Sequence, residues 1–114
     1  MKTTTIRPMA LVDADAIAAL AQAAGYQTTR DEVADRHAVT TGIQNQMIFV
    51  ADDGTSVIGW AHVYGIVPLH AAGYAALVTL MVRPDLRRQG VGRSLMDECR
   101  RWAQANGFVD LRLP

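Results

Sequence analysis

The sequence predicts a mixed α/β (α+β) fold, with elements in the order β-α-α-β-β-β-α-β and one central mixed sheet flanked by helices. Three observations carry this. Residues 91–106 place Val91, Leu95, Cys99, Trp102 and Ala103 on one face at helical spacing. Residues 74–82 are apolar at nearly every position, as a central strand covered on both faces would be. Between residues 46–51 and 57–67, both rich in β-formers, lies Asp52-Asp53-Gly54, a hairpin turn with Asp-Gly at its centre. A chain of 114 residues fits one domain, residues 1–114.

In chain order, residues 3–7 are short and β-branched, with Pro8 closing them, and read as an edge strand. Asp13 or Asp15 can cap the helix that follows, whose apolar stripe is Ile17, Leu20, Ala21 and Ala24 and whose stop is Gly25. Thr29 and Glu32 form a capping-box pair and start a second helix that runs to about Thr40. Its apolar face is thin (Val33, Ala34, His37, Ala38), which suits a lid over a cleft and equally a plain surface helix. Gly59 and Gly65 interrupt the strand over residues 57–67, and residues 68–73 are a loop. The helix over residues 91–106 carries Arg93, Asp97 and Arg101 as a charged outer row and ends at Gly107. Residues 108–113 alternate, with Val109, Leu111 and Leu113 on one side, as a half-buried strand does. The strands flanking the last helix should be parallel by a right-handed crossover, and the earlier strands antiparallel.

Half the residues are apolar, enough for one modest core, and net charge is zero, so neither nucleic acid nor a membrane surface is an expected partner. The charge is unevenly placed. Residues 1–82 hold four basic and seven acidic side chains, a net of −3, and residues 83–114 hold seven basic and four acidic, a net of +3. Cys99 is the one cysteine; it falls on the apolar stripe of the last helix and reads as a buried, inert thiol. No apolar run approaches the ~18 residues of a membrane span, and the first nine residues lack an apolar signal core. The expected location is the cytoplasm, and no cluster at metal-ligand spacing is visible.

The basic surplus gathers around residues 82–94, V-R-P-D-L-R-R-Q-G-V-G-R-S. Pro84 stops the apolar strand and the helix begins at Val91, so the stretch reads as strand, glycine-bearing loop, helix. The first N–H groups of a helix have no internal partner, and the helix dipole places partial positive charge there. Gly90 and Gly92 let a ligand oxygen approach the backbone. Arg87, Arg88 and Arg93 add forked donors that suit phosphate, and Ser94 adds a hydroxyl on the first turn. The stretch reads as an anion site or, more plainly, as a strand–helix connection with a solvated basic face.

The order of elements, together with Arg87-Arg88-Gln89-Gly90-Val91-Gly92, resembles the GCN5-related N-acetyltransferases. Their acetyl-CoA signature is Q/R-x-x-G-x-G/A; Arg87, Gly90 and Gly92 fill its fixed positions, and the preceding L-M-V-R-P and the helix ending in N-G also match. The resemblance implies an acetyl-CoA-dependent N-acetyltransferase, with acetyl-CoA as co-substrate and a primary amine on a small molecule, antibiotic or peptide as acceptor. It implies that Arg88, Gln89, Gly90, Val91, Gly92, Arg93 and Ser94 meet the CoA pyrophosphate. Leu80, Met81 and Val82, at the end of the central strand, would meet the pantetheine arm through their backbone. Residues 26–37 and 67–73 would line the acceptor cleft, where Asp31, Glu32 and Asp35 suit a cationic amine.

Two departures accompany the resemblance. Many members carry a basic glutamate on the central strand, whereas only Thr79 is polar here, so the base is water or is unassigned among Asp52, Asp53, His62 and Tyr64; His62 and His70 equally fit a plain strand or loop residue, and His37 is undecided. Members also continue past the last strand with a helix and two strands, and that helix often supplies a tyrosine acid. The chain is therefore expected to be C-terminally short, with an open strand edge that pairs with a second copy as a homodimer. The alternative is a CoA-binding domain, or a fragment, without turnover.

Overall fold

Residues 3–113 are described by a computed structural model. Backbone pairing joins five strands in the order β1 (Thr5–Pro8), β2 (Gln46–Asp52), β3 (Val57–Ile66), β4 (Tyr74–Val82) and β5 (Leu111–Arg112). β1 through β4 are antiparallel to their neighbours, and β5 lies parallel to β4. Helices α1 (Ala14–Ala23), α2 (Arg30–Thr41) and α3 (Val91–Ala105) complete the expected mixed fold.

The core forms between α3 and one face of the sheet. Leu95 and Cys99 are fully buried against Ala61, Val63, Ala75 and Leu77. Burial pushes the Cys99 thiol up to about 11, so it is inert, as its place on the stripe predicts. The charged outer row differs from expectation: Asp97 pairs with Arg100 and Glu98 with Arg101, both at i,i+3, and Arg93 has no carboxylate partner among the described residues.

β1 starts later than expected and includes Pro8, opposite Phe49, which an edge strand tolerates. Asp13 does not cap α1. Its buried carboxylate closes a 3-10 turn over Leu11–Asp13 by accepting from Ala10 N–H at 2.7 Å, and it binds Arg7 through two bonds of 2.8 and 2.9 Å. Arg7 holds this carboxyl below the usual carboxylate range. The α1 stripe is Ala14, Ile17, Ala18 and Ala21; Leu20 is half-buried and Ala24 exposed, because alanines let the helix lie close to the sheet. The capping box of α2 is present: Thr29 Oγ1 accepts from Glu32 N–H, and Glu32 Oε1 accepts from Thr29 N–H, both at 3.1 Å. None of the residues of α2 is buried, as its thin face implies.

Two corrections bear on the sheet. Gly59 and Gly65 do not interrupt β3; they lie inside it and make room for neighbours. A Cβ on Gly59 would sit 2.8 Å from Met81 O, and one on Gly65 would overlap the Phe108 ring. The last strand is also far shorter than residues 108–113. Gly107 turns the chain at φ +83, and Phe108 is the buried residue, whereas Val109 and Leu113 are 87% and 53% exposed. Of the expected stripe only Leu111 packs against the core; this end of the sheet is anchored instead by the Phe108 ring, which drops into a notch left by Gly65 and Gly73.

Candidate functional site

The loop between β4 and α3 has the chemistry of an anion cradle. After a 3-10 turn over Pro84–Leu86, Arg88 takes φ +67 and Gly90, the N-cap of α3, takes φ +85. Residues of alternating hand turn successive N–H groups toward one side. Among the described residues, the N–H groups of residues 88–93 have no acceptor; the first helical bond of α3 runs from Ser94 N–H to Gly90 O at 3.0 Å. Ser94 Oγ also donates to Gly90 O at 3.0 Å, so this hydroxyl serves the cap and is not a free donor as expected.

The arginines sharpen the picture. Arg7, Arg30, Arg36, Arg83, Arg100, Arg101 and Arg112 each hold a carboxylate. Arg87, Arg88 and Arg93 are exposed and hold none among the described residues. The loop therefore concentrates uncompensated positive charge beside free N–H groups.

The end of β4 abuts this loop. A Cβ on Gly92 would meet Val82 Cγ2 at 3.7 Å and Leu80 Cδ2 at 3.8 Å, so these two side chains face α3, while Met81 faces the opposite side. β5 pairs only with Ala75 and Ala76. Leu77 and residues 79–82 pair with β3 on one edge and have no strand on the other among the described residues. The second half of β4 thus has an open edge, and Val78 is 51% exposed. Val78 is also a bulge: His62 pairs with Thr79 and Val63 with Leu77, so Val78 has no partner on β3.

On the face opposite α3, a cleft of about 710 Å³ opens between α1, α2 and the sheet. Trp60, His62 and Tyr64 of β3 and Thr79 and Met81 of β4 form its floor; Ile17, Ala21, Val33 and His37 line its helical walls. Tyr26, Thr28 and Asp35 line it as expected, but no residue of 67–73 does, and neither Asp31 nor Glu32 does. Those two pair with Arg30 and Arg36. Asp35 is the one carboxylate on the cleft among the described residues, and most of the lining is apolar or aromatic.

The candidate bases separate cleanly. Asp52 binds Arg7 and accepts from Gly54 N–H, and Asp53 accepts from Thr55 and Ser56 N–H in the hairpin turn; neither lines the cleft. His70 is exposed on a loop away from it. His62 and Tyr64 line it with stacked rings, centroids 4.4 Å apart, and His62 Nε2 lies 2.8 Å from Gln46 Oε1. Burial pulls the His62 pKa below its ordinary value. Sequence reasoning overlooked Trp60, although strand alternation puts it beside His62 and Tyr64. Its indole N–H is buried without a partner, as is the Gln46 side-chain nitrogen. No group of three or more metal-binding side chains occurs among the described residues.

The sequence profile of the Acetyltransferase (GNAT) family matches residues 14–113. The chain belongs to the GNAT acetyltransferase family. Solved GNAT structures share its fold. A GNAT family acetyltransferase from Staphylococcus aureus superposes with a TM-score of 0.86 at 14% identity, covering 100% of this chain and 87% of that one. Aminoglycoside N-acetyltransferase AAC(6')-Iy, solved with CoA, gives 0.85 at 17% identity over 100% and 78%. Glucosamine-6-phosphate N-acetyltransferase from Arabidopsis thaliana gives 0.83 at 14% identity over 99% and 82%. No curated protein matches the chain. Arg87, Gly90 and Gly92 all lie in the loop between β4 and α3 or in the first turn of α3.

Proposed function

We propose that this GNAT chain moves an acetyl group from acetyl-CoA to a primary amine by direct attack in a ternary complex. One observation carries the reading: N–H groups of residues 88–93 without acceptors, flanked by unpaired Arg87, Arg88 and Arg93, stand at the end of an open β4 edge. The N–H groups around Gln89, Gly90, Val91 and Gly92 would bind the diphosphate. The free backbone of Leu80, Met81 and Val82 would bind the amides of the pantetheine arm, as an added strand would. The bulge at Val78 interrupts the ladder where the thioester would lie, and a backbone N–H there would take the growing charge on the carbonyl oxygen. The amine would enter from the cleft, whose floor shares Thr79 and Met81 with β4. The apolar lining favours an amine on an apolar or aromatic body.

AAC(6')-Iy has also been solved with a bisubstrate analogue built on CoA, which supports acetyl-CoA as co-substrate by analogy. Thr79, on a β4 that carries no carboxylate, favours a second reading, a CoA-binding domain without turnover. A melting assay and a thiol assay separate the possibilities. CoA at a hundred times its dissociation constant should stabilise the fold by about 2.7 kcal/mol, raising Tm by roughly 10 °C. Thiol release from acetyl-CoA with primary amines then distinguishes turnover from binding alone, and no shift at saturating CoA would end both readings.

Exposed Val109 and Leu113 flank the two-residue β5 at the sheet edge, and a second copy of the chain would cover them. Sedimentation at low micromolar concentration is expected to give a homodimer; a clean monomer would contradict this. The buried, unpaired Cys99 fits a reducing cytoplasmic setting, and no described helix is long and apolar enough to cross a membrane.

A further inference from the structure

We propose that His62 on β3 is the general base that takes the proton from the attacking amine, and that Gln46 on β2 is the positioning residue that sets its tautomer. This rests on the acetyl-transfer reading above. His62 stands at the register break of the sheet. It pairs with Thr79, and the next pair is Val63 with Leu77, so it lies directly across from the bulge on β4. The same side chain lines the cleft from which the amine would come. It therefore stands on the cleft side of the sheet, on the path of the nucleophile and one strand in from the open edge where the carbonyl would be held.

Its chemistry fits. Gln46 Oε1 accepts from the Nε2 side of the ring at 2.8 Å, which leaves Nδ1 with its lone pair. Stacking on Tyr64 fixes the ring plane. Burial pulls its pKa below the ordinary value, which favours the neutral imidazole. The charged and titratable groups on the cleft around it are few: Tyr64 on its own strand, Asp35, Arg36 and His37 on α2, and Tyr26 between α1 and α2. α1 contributes Ile17 and Ala21, β2 contributes Ile48, and β4 contributes Thr79 and Met81, none of which titrates. Arg36 is occupied by Glu32 and Thr28.

In the step, the free amine nitrogen bonds to the acetyl carbon while one proton passes from that nitrogen to His62 Nδ1. The carbon–sulfur bond breaks, and its electron pair leaves with the sulfur. The imidazolium then returns the proton to the thiolate, so one proton is taken and one given.

The test uses the full chain, acetyl-CoA and phenethylamine as the acceptor probe. His62→Gln is expected to lower kcat/KM at pH 7 by a hundredfold or more while the CoA dissociation constant stays unchanged. The wild-type rate should fall as pH drops through the His62 pKa, below 6.5, and that limb should vanish in the variant. Gln46→Glu should move the limb upward by about one pH unit, because a carboxylate on Nε2–H favours the imidazolium. Nitrogen-15 spectra of the wild-type imidazole need no acceptor and should show the Nε2–H tautomer. An Nδ1–H tautomer, a pKa above 6.5, or undiminished turnover in His62→Gln would overturn the role of His62. Failure of the wild type to bind CoA would overturn the acetyl-transfer reading instead.

Discussion

Gly90→Val is expected to weaken CoA binding by at least a hundredfold while the fold survives. Gly90 is the N-cap of α3 at φ +85, where a β-branched residue costs roughly 1–2 kcal/mol. A Cβ built on it meets no atom of the chain within 4 Å, so the valine side chain would disturb nothing inside the protein. It would project from the turn that aims the N–H groups of residues 88–93 and would crowd a diphosphate there. Relief of the strain would rotate those N–H groups away, with the same result. Gly92→Ala is the control: its Cβ makes ordinary contacts of 3.7 and 3.8 Å with Val82 and Leu80 and should leave affinity within about threefold. Titration calorimetry with CoA, beside a thermal melt of each variant, reads both quantities. Unchanged affinity in Gly90→Val would remove the loop from the site.

Gly65→Val should have the largest effect on stability, about 3 kcal/mol or a Tm lowered by roughly 12 °C. Its Cβ would occupy the space of the Phe108 ring, which is 7% exposed and stacked on Trp102 with centroids 6.1 Å apart. The ring also lies close to Gly73, where an added Cβ would be 3.1 Å from Cε1, so both glycines leave room for it. Displacing Phe108 would loosen the C-terminal end of α3 and β5, whose hold on the sheet is two paired residues. Faster amide exchange at Leu111 should accompany the lower Tm, and a Tm within 2 °C of wild type would show that the notch does not secure this end. The N-terminal end of α3 lies at the other end of the helix, so CoA affinity should change far less than in Gly90→Val.

These two glycines show where the sequence was readable. The loop around Gly90 carries its own marks: a proline stop, basic residues, two glycines and a helical period that starts at Val91. Local chemistry also made the Thr29–Glu32 cap and the Asp53-Gly54 turn legible. Gly65 carries no such mark, because its purpose is a ring 43 residues away in sequence, and the alternation of Val109, Leu111 and Leu113 found only Leu111 of the residues that pack inward and missed Phe108. The bulge at Val78 was equally hidden, since nothing in A-L-V-T-L distinguishes a bulged valine from a paired one. The base could not be ranked from residue types alone. Asp52 is removed by Arg7, a partner 45 positions distant, and His62 is singled out by a register and a glutamine on another strand.

A crystal of the chain soaked with CoA should show the diphosphate within about 3 Å of the N–H groups of residues 88–93 and the pantetheine arm paired along the open edge of residues 77–82. Density for the nucleotide elsewhere, or none at saturating CoA, would contradict that placement.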